Sequence, residues 1–158
     1  MTKLYTGLLI AGLCLSGAAQ AESHMDEKAL NAAVTARQST MKLYAFNLGI
    51  LGTMAKGQAE YNAEAATAAA SNLVKLSSQD QMAYWPQGSD NASIENTKAL
   101  PAMWENMDDV GAANAKLEEA AVAMEAAAGT DLASLQGAMG GLGGACGGCH
   151  KSYRESDN

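Results

Sequence analysis

Aromatic side chains are scarce in this chain, with one Phe, two Trp and five Tyr among 158 residues. Proline is scarcer still, at Pro86 and Pro101 only. With abundant alanine, these shortages favour helix almost throughout. No stretch of useful length alternates apolar and polar residues as a half-buried strand does. Positive charge is also short: ten Lys and Arg stand against 17 Asp and Glu, for a net charge of −7. Such a chain repels phosphate backbones, which excludes nucleic acid as a partner and is compatible with a basic redox partner. The apolar run Leu8-Leu9-Ile10-Ala11-Gly12-Leu13-Cys14-Leu15 is too short to span a bilayer.

That run has another reading. Lys3 precedes it and Ala19-Gln20-Ala21 follows it as a small-x-small cleavage site, so residues 1–21 form a secretory signal peptide. Bulky Leu13 before Cys14 argues against a lipidation site. The mature protein, residues 22–158, is expected in a bacterial periplasm, with no membrane span. One domain fits its length. Cleavage removes Cys14 and leaves Cys146 and Cys149. A disulfide between residues three apart closes too small a loop to stabilise a fold much. The pair therefore calls for a chemical explanation.

Four amphipathic segments follow the signal peptide. The first runs from about Asp26 to Lys56, with Val34, Met41, Tyr44, Leu48, Leu51 and Ala55 on one face, and Gly57 ends it. The second, about Asn62 to Met82, carries Leu73 and Leu76. Tyr84 to Leu100 reads as a long loop. Pro101 starts a third helix bearing Trp104, Met107, Leu117, Ala121 and Met124, which Gly129 stops. Thr130 caps a fourth, with Asp131 in its first turn. Short links between such helices predict an all-α, antiparallel four-helix bundle.

The fourth helix continues its apolar stripe, Leu132, Leu135, Met139 and Leu142, into Cys146, Cys149 and Tyr153. Gly140, Gly141, Gly143, Gly144, Gly147 and Gly148 surround this point. Each weakens a helix by about 1 kcal/mol relative to Ala, a cost that a flat group close to the backbone would explain. Cys146-Gly147-Gly148-Cys149-His150 is the c-type haem attachment pattern. Two thiols at this spacing reach the two vinyl groups of one haem, and the adjacent imidazole faces the iron. A structural zinc site needs about four ligands, and only distant His24 is a further histidine. A thioredoxin-like dithiol expects a strand before its motif. One covalent haem c per chain, with iron bound by His150, is the expected cofactor.

With the bundle and this C-terminal site in place, the sequence resembles cytochrome c′. Three segments carry the resemblance: Cys146 to Arg154, Trp85-Pro86-Gln87-Gly88 through Trp104, and Arg37-Gln38-Ser39-Thr40-Met41. It implies a five-coordinate, high-spin iron with an apolar opposite face where nitric oxide or carbon monoxide binds. Some relatives instead place a methionine on the iron and carry electrons. The resemblance aligns Met41 with the residue over that face. The third and fourth segments look closer to the high-spin branch, so Met41 is expected to pack there as a displaceable plug. Arg37, one turn before Met41, is expected to bond a haem propionate, with Gln38 as a second candidate. Arg154, one turn after His150, is expected to flank the iron's near face or neutralise a propionate.

No catalytic assignment follows from these residues. Asp108 and Asp109 diverge on a helix and read as a solvated face. A haem peroxidase would want a distal His beside an Arg in the first helix, which is absent. Electron transfer with periplasmic redox partners and binding of diatomic gases are the two functions to weigh. A second apolar row on helix one, Leu43, Phe46, Ile50 and Met54, predicts a homodimer.

Overall fold

A computed structural model describes residues 26–156. The expected signal peptide, residues 1–21, and His24 lie outside the described residues. Four long helices, α1 Glu27–Ala55, α2 Ala63–Ser77, α4 Met107–Ala128 and α5 Leu132–Tyr153, form the bundle, and a single turn, α3 Ala102–Glu105, leads into α4. Among the described residues the only strand-like pairing is an isolated antiparallel bridge between Ala99 and Arg154.

Local chemistry sets the helix ends. The Asp26 carboxylate accepts from Ala29 N at 2.7 Å and caps α1, and the Asn62 side chain accepts from Ala65 N at 2.8 Å and caps α2. Gly57 closes α1 at φ 68°, a left-handed conformation that favours glycine. α5 is capped by Asp131, which accepts from Ser134 N at 2.7 Å, and not by Thr130, whose hydroxyl turns back to Ala126 O. Two boundaries differ from the sequence reading. α2 stops at Ser77 instead of running to Met82, because Ser77 Oγ bonds Val74 O and Gln81 Nε2 bonds Leu76 O, and a 3-10 turn, Met82–Tyr84, follows. The third helix is broken at Asn106 (φ −132°, ψ 45°), whose Nδ2 donates to Ala102 O at 2.8 Å.

Besides Val34, the buried positions of α1 run Ala33, Arg37, Thr40, Tyr44, Asn47, Leu51 and Met54, in alternate steps of four and three. Tyr44, Leu51 and Met54 meet Leu73 and Leu76 of α2, Ala121 and Met124 of α4, and Leu135 and Leu142 of α5 in one core. Met54 therefore belongs to the core and Ile50 packs against it, so neither lies in the outer row expected for them. Leu43 and Phe46 of that row are exposed, at 51% and 66%. The helices pack in the ring α1–α2–α4–α5, and the α1–α5 side is the loosest of the four. Gln136 Nε2 donates to Ala55 O at 2.8 Å, so these two helices run antiparallel from that end.

Candidate functional site

Cys146 and Cys149 are free thiols, half-buried on the α5 stripe that begins with Leu135 and Leu142. Burial pushes both thiols above their ordinary range. His150 is exposed beside them. Partial desolvation and the Arg154 charge lower its pKa, which favours the neutral imidazole that binds metals. The helix is not frayed here: it continues to Tyr153. At every glycine from Gly140 to Gly148, a Cβ would meet no atom within 4 Å. These six glycines are exposed and lie on the side of α5 away from Leu142, Cys146 and Cys149, so they do not form the bed expected for a flat group held by the two thiols.

The facing helix supplies Met41. The α1–α5 register runs from Ala55 beside Gln136, through Gly52 beside Met139, and on toward Tyr44 near Cys146. One further turn places Met41 level with Cys149 and His150. Its side chain is 37% exposed rather than in the protein core. No other protein side chain covers it fully, although its neighbours on the same face, Arg37 and Tyr44, are buried.

Arg37 is 3% exposed, so it is not a solvated surface charge. Its Nη1 donates to Ser89 Oγ at 2.7 Å and, at 3.4 Å, to Tyr84 O. Its Nη2 donates to Ser89 O and to Thr97 Oγ1. The guanidinium lies 4.7 Å from the ring centroid of Trp85 and 5.8 Å from that of Trp104. Desolvation lowers its pKa, and Asp90 opposes this. All four terminal N–H groups are thus used by the 84–97 segment, and the expected propionate has only Nε–H to bond. Gln38 Nε2 is similarly engaged by Asn96 O. Arg154 is half-buried at the end of α5, close enough to His150 to depress its pKa. Ser89, Thr97 and the two Trp rings were not legible as partners of Arg37, because residues 84–104 have no period that would fix their facing.

Among the described residues, no group of three or more His, Cys, Asp or Glu side chains converges as a metal cage. The donor set fits a metal brought within a prosthetic group, not one bound by side chains alone. Comparison with known proteins agrees. A family model described as Cytochrome C' matches residues 32–154. The chain belongs to the cytochrome c′ family. It is 48% identical over 132 residues to cytochrome c-554 of Cereibacter sphaeroides, covering 84% of this chain and 99% of that protein. It is 33% identical over 154 residues to a cytochrome c′ of the same species, covering 98% of each. The solved structure of a cytochrome c′ from Rhodobacter sphaeroides superposes with a TM-score of 0.79 at 35% identity, over 81% of this chain and 98% of that one. The cofactor is haem c, covalently attached, with iron, and the fold is the family's four-helix bundle.

Proposed function

We propose that this protein is a periplasmic one-electron carrier, with the haem held as thioethers by Cys146 and Cys149 and the iron flanked by His150 of α5 and Met41 of α1. When bound, the haem supplies a one-electron iron couple. The observation that carries this reading is the antiparallel α1–α5 register, which brings an incompletely covered thioether level with an exposed imidazole across the loosest side of the bundle. His150 supplies a neutral nitrogen. Cys146 and Cys149 continue the apolar stripe, so a group bonded to them is drawn against the bundle interior. Arg154, the extended residue that follows α5 and not part of its helical face, still places positive charge near His150, where it would offset a propionate. Gln38 keeps its carbonyl oxygen for other partners. Met41 is taken as the sixth ligand, which reverses the plug expected from sequence. Its incompletely covered thioether supports this.

One observation favours a second reading, in which Met41 packs without bonding and a gas molecule displaces it. A variant of the cytochrome c′ of Alcaligenes xylosoxidans, solved with carbon monoxide bound, matches at 30% identity and a TM-score of 0.70. Optical spectra of oxidised and reduced holoprotein, with and without carbon monoxide, separate the two. A low-spin resting spectrum with a methionine-to-iron charge-transfer band supports the carrier. A high-spin resting spectrum with ready carbon monoxide binding supports the gas binder. The exposed Leu43 and Phe46 suit a second copy of the chain, packed helix to helix. A solved cytochrome c′ with an unusual ligand-controlled dimer dissociation matches at 26% identity and a TM-score of 0.74. Among the described residues no helix is long and apolar enough to cross a membrane.

A further inference from the structure

We infer that Arg37 is a positioning residue for the iron site, and that it works through the connection between α2 and α3. That connection bonds both α1, at Arg37 and Gln38, and the end of α5, and so acts as a strap between them. Arg37 grips one end of it through Ser89 and Thr97, under the Trp85 and Trp104 rings. Trp104 Nε1 donates to Trp85 O at 3.0 Å and closes the cage. The Thr97 hydroxyl that accepts from Arg37 also accepts from Ala99 N at 3.2 Å. Immediately after it, the strap pairs with the end of α5. Leu100 N donates to Tyr153 O at 3.0 Å, and Glu155 N donates to Lys98 O at 2.8 Å. Ala99 and Arg154 form the bridge between these rungs. Arg154 N in turn donates to His150 O at 3.1 Å.

A short hydrogen-bonded path thus joins Arg37, one turn before Met41, to the last turn of α5, which begins at His150. Helices α1 and α5 pack loosely against each other, so this path is what holds their two faces in register at this end. A buried guanidinium suits the task. It offers several fixed donors in one plane, and its partners are buried or half-buried, so water competes poorly for them. Lysine at this position has three donors on a flexible stem and cannot reach Ser89 and Thr97 in the same geometry. The inference rests on the reading that His150 and Met41 flank the iron. It also replaces the propionate bond expected for Arg37.

The test uses holoprotein carrying Arg37→Lys, Thr97→Val or both. The first readout is amide hydrogen exchange at Leu100 and Glu155, which reports the strap whatever sits on the iron. The second is the association rate of carbon monoxide with the reduced protein, together with the methionine-to-iron band. Each single variant is expected to speed exchange at both amides about tenfold, and to speed carbon monoxide association. The double variant is expected to match Arg37→Lys alone, because both changes break one path. Unchanged exchange overturns the proposal. So does faster exchange with an unmoved carbon monoxide rate, since the strap then shapes only the loop. A carbon monoxide rate altered by Arg37→Lys but not by Thr97→Val also overturns it, and marks a direct bond to the haem. If Arg37→Lys does not fold, Thr97→Val decides alone, with a chain ending at Arg154 that loses the Glu155 rung and the Asn91 bond to the Glu155 carboxylate, read at Leu100. Failure of the underlying reading is seen separately, as a Met41→Ala variant with the spectrum and carbon monoxide rate of the parent protein.

Discussion

Met41 shows 37% of its surface while Arg37 and Tyr44, on the same face of α1, are buried. An unbranched thioether so placed bonds an iron or fills space beside it. In the oxidised holoprotein, Met41→Ala is expected to abolish the methionine-to-iron band and turn a low-spin spectrum high-spin. In the reduced protein it opens the site and speeds carbon monoxide association by roughly tenfold or more. A parent spectrum that is already high-spin would favour the plug. The proposed attachment residues stand out in the sequence because their spacing suits the chemistry: two thiols and an imidazole in five residues. Arg37 was legible as a buried-face arginine four residues before Met41, but not its partners. Ser89 and Thr97 lie in an irregular segment, and nothing in hydrophobic periodicity says which way an irregular segment faces.

At the level of elements, periodicity placed the four long helices well, since each has a face that must be covered. It failed at two ends where a polar side chain bonds the backbone. Asn106 splits the third helix, and Ser77 with Gln81 shortens the second. Gly129 was read as a helix stop. Its φ of −88° is ordinary for any residue, so its reason lies elsewhere. A Cβ there would stand 2.5 Å from Thr67 Oγ1, which is itself bonded to Ala63 O at 2.8 Å. Glycine lets the end of α4 approach α2. Gly129→Ala is expected to destabilise the fold by about 1–3 kcal/mol, and Thr67→Ala in the same chain to recover most of that loss. Denaturant titration of the single and double variants checks this; equal stability of Gly129→Ala and the parent would sink it. The strap from Tyr84 to Leu100 carries the other lesson. It reads as loop, yet it holds the end of the attachment helix by main-chain bonds that no side-chain pattern announces.

On the scale of the whole molecule, a core shared by α1, α2, α4 and α5 leaves Leu43 and Phe46 of α1 exposed, and a second copy of the chain is the occupant proposed for them. Phe46→Lys is expected to convert a dimer into monomers with an unchanged haem spectrum, because Phe46 lies on the outer face of α1, away from α5. Sedimentation at micromolar concentration checks this, and a monomeric parent protein would refute it. The placement of the cofactor on α5 is the claim from which the rest follows, and mass spectrometry reaches it directly. The holoprotein is denatured, digested and mapped. The account predicts the added mass of one haem on the peptide containing Cys146 to His150, with both thiols consumed, and its loss when Cys146→Ala and Cys149→Ala are combined. A peptide of unmodified mass carrying two free thiols, from a host that matures c-type cytochromes, would contradict it.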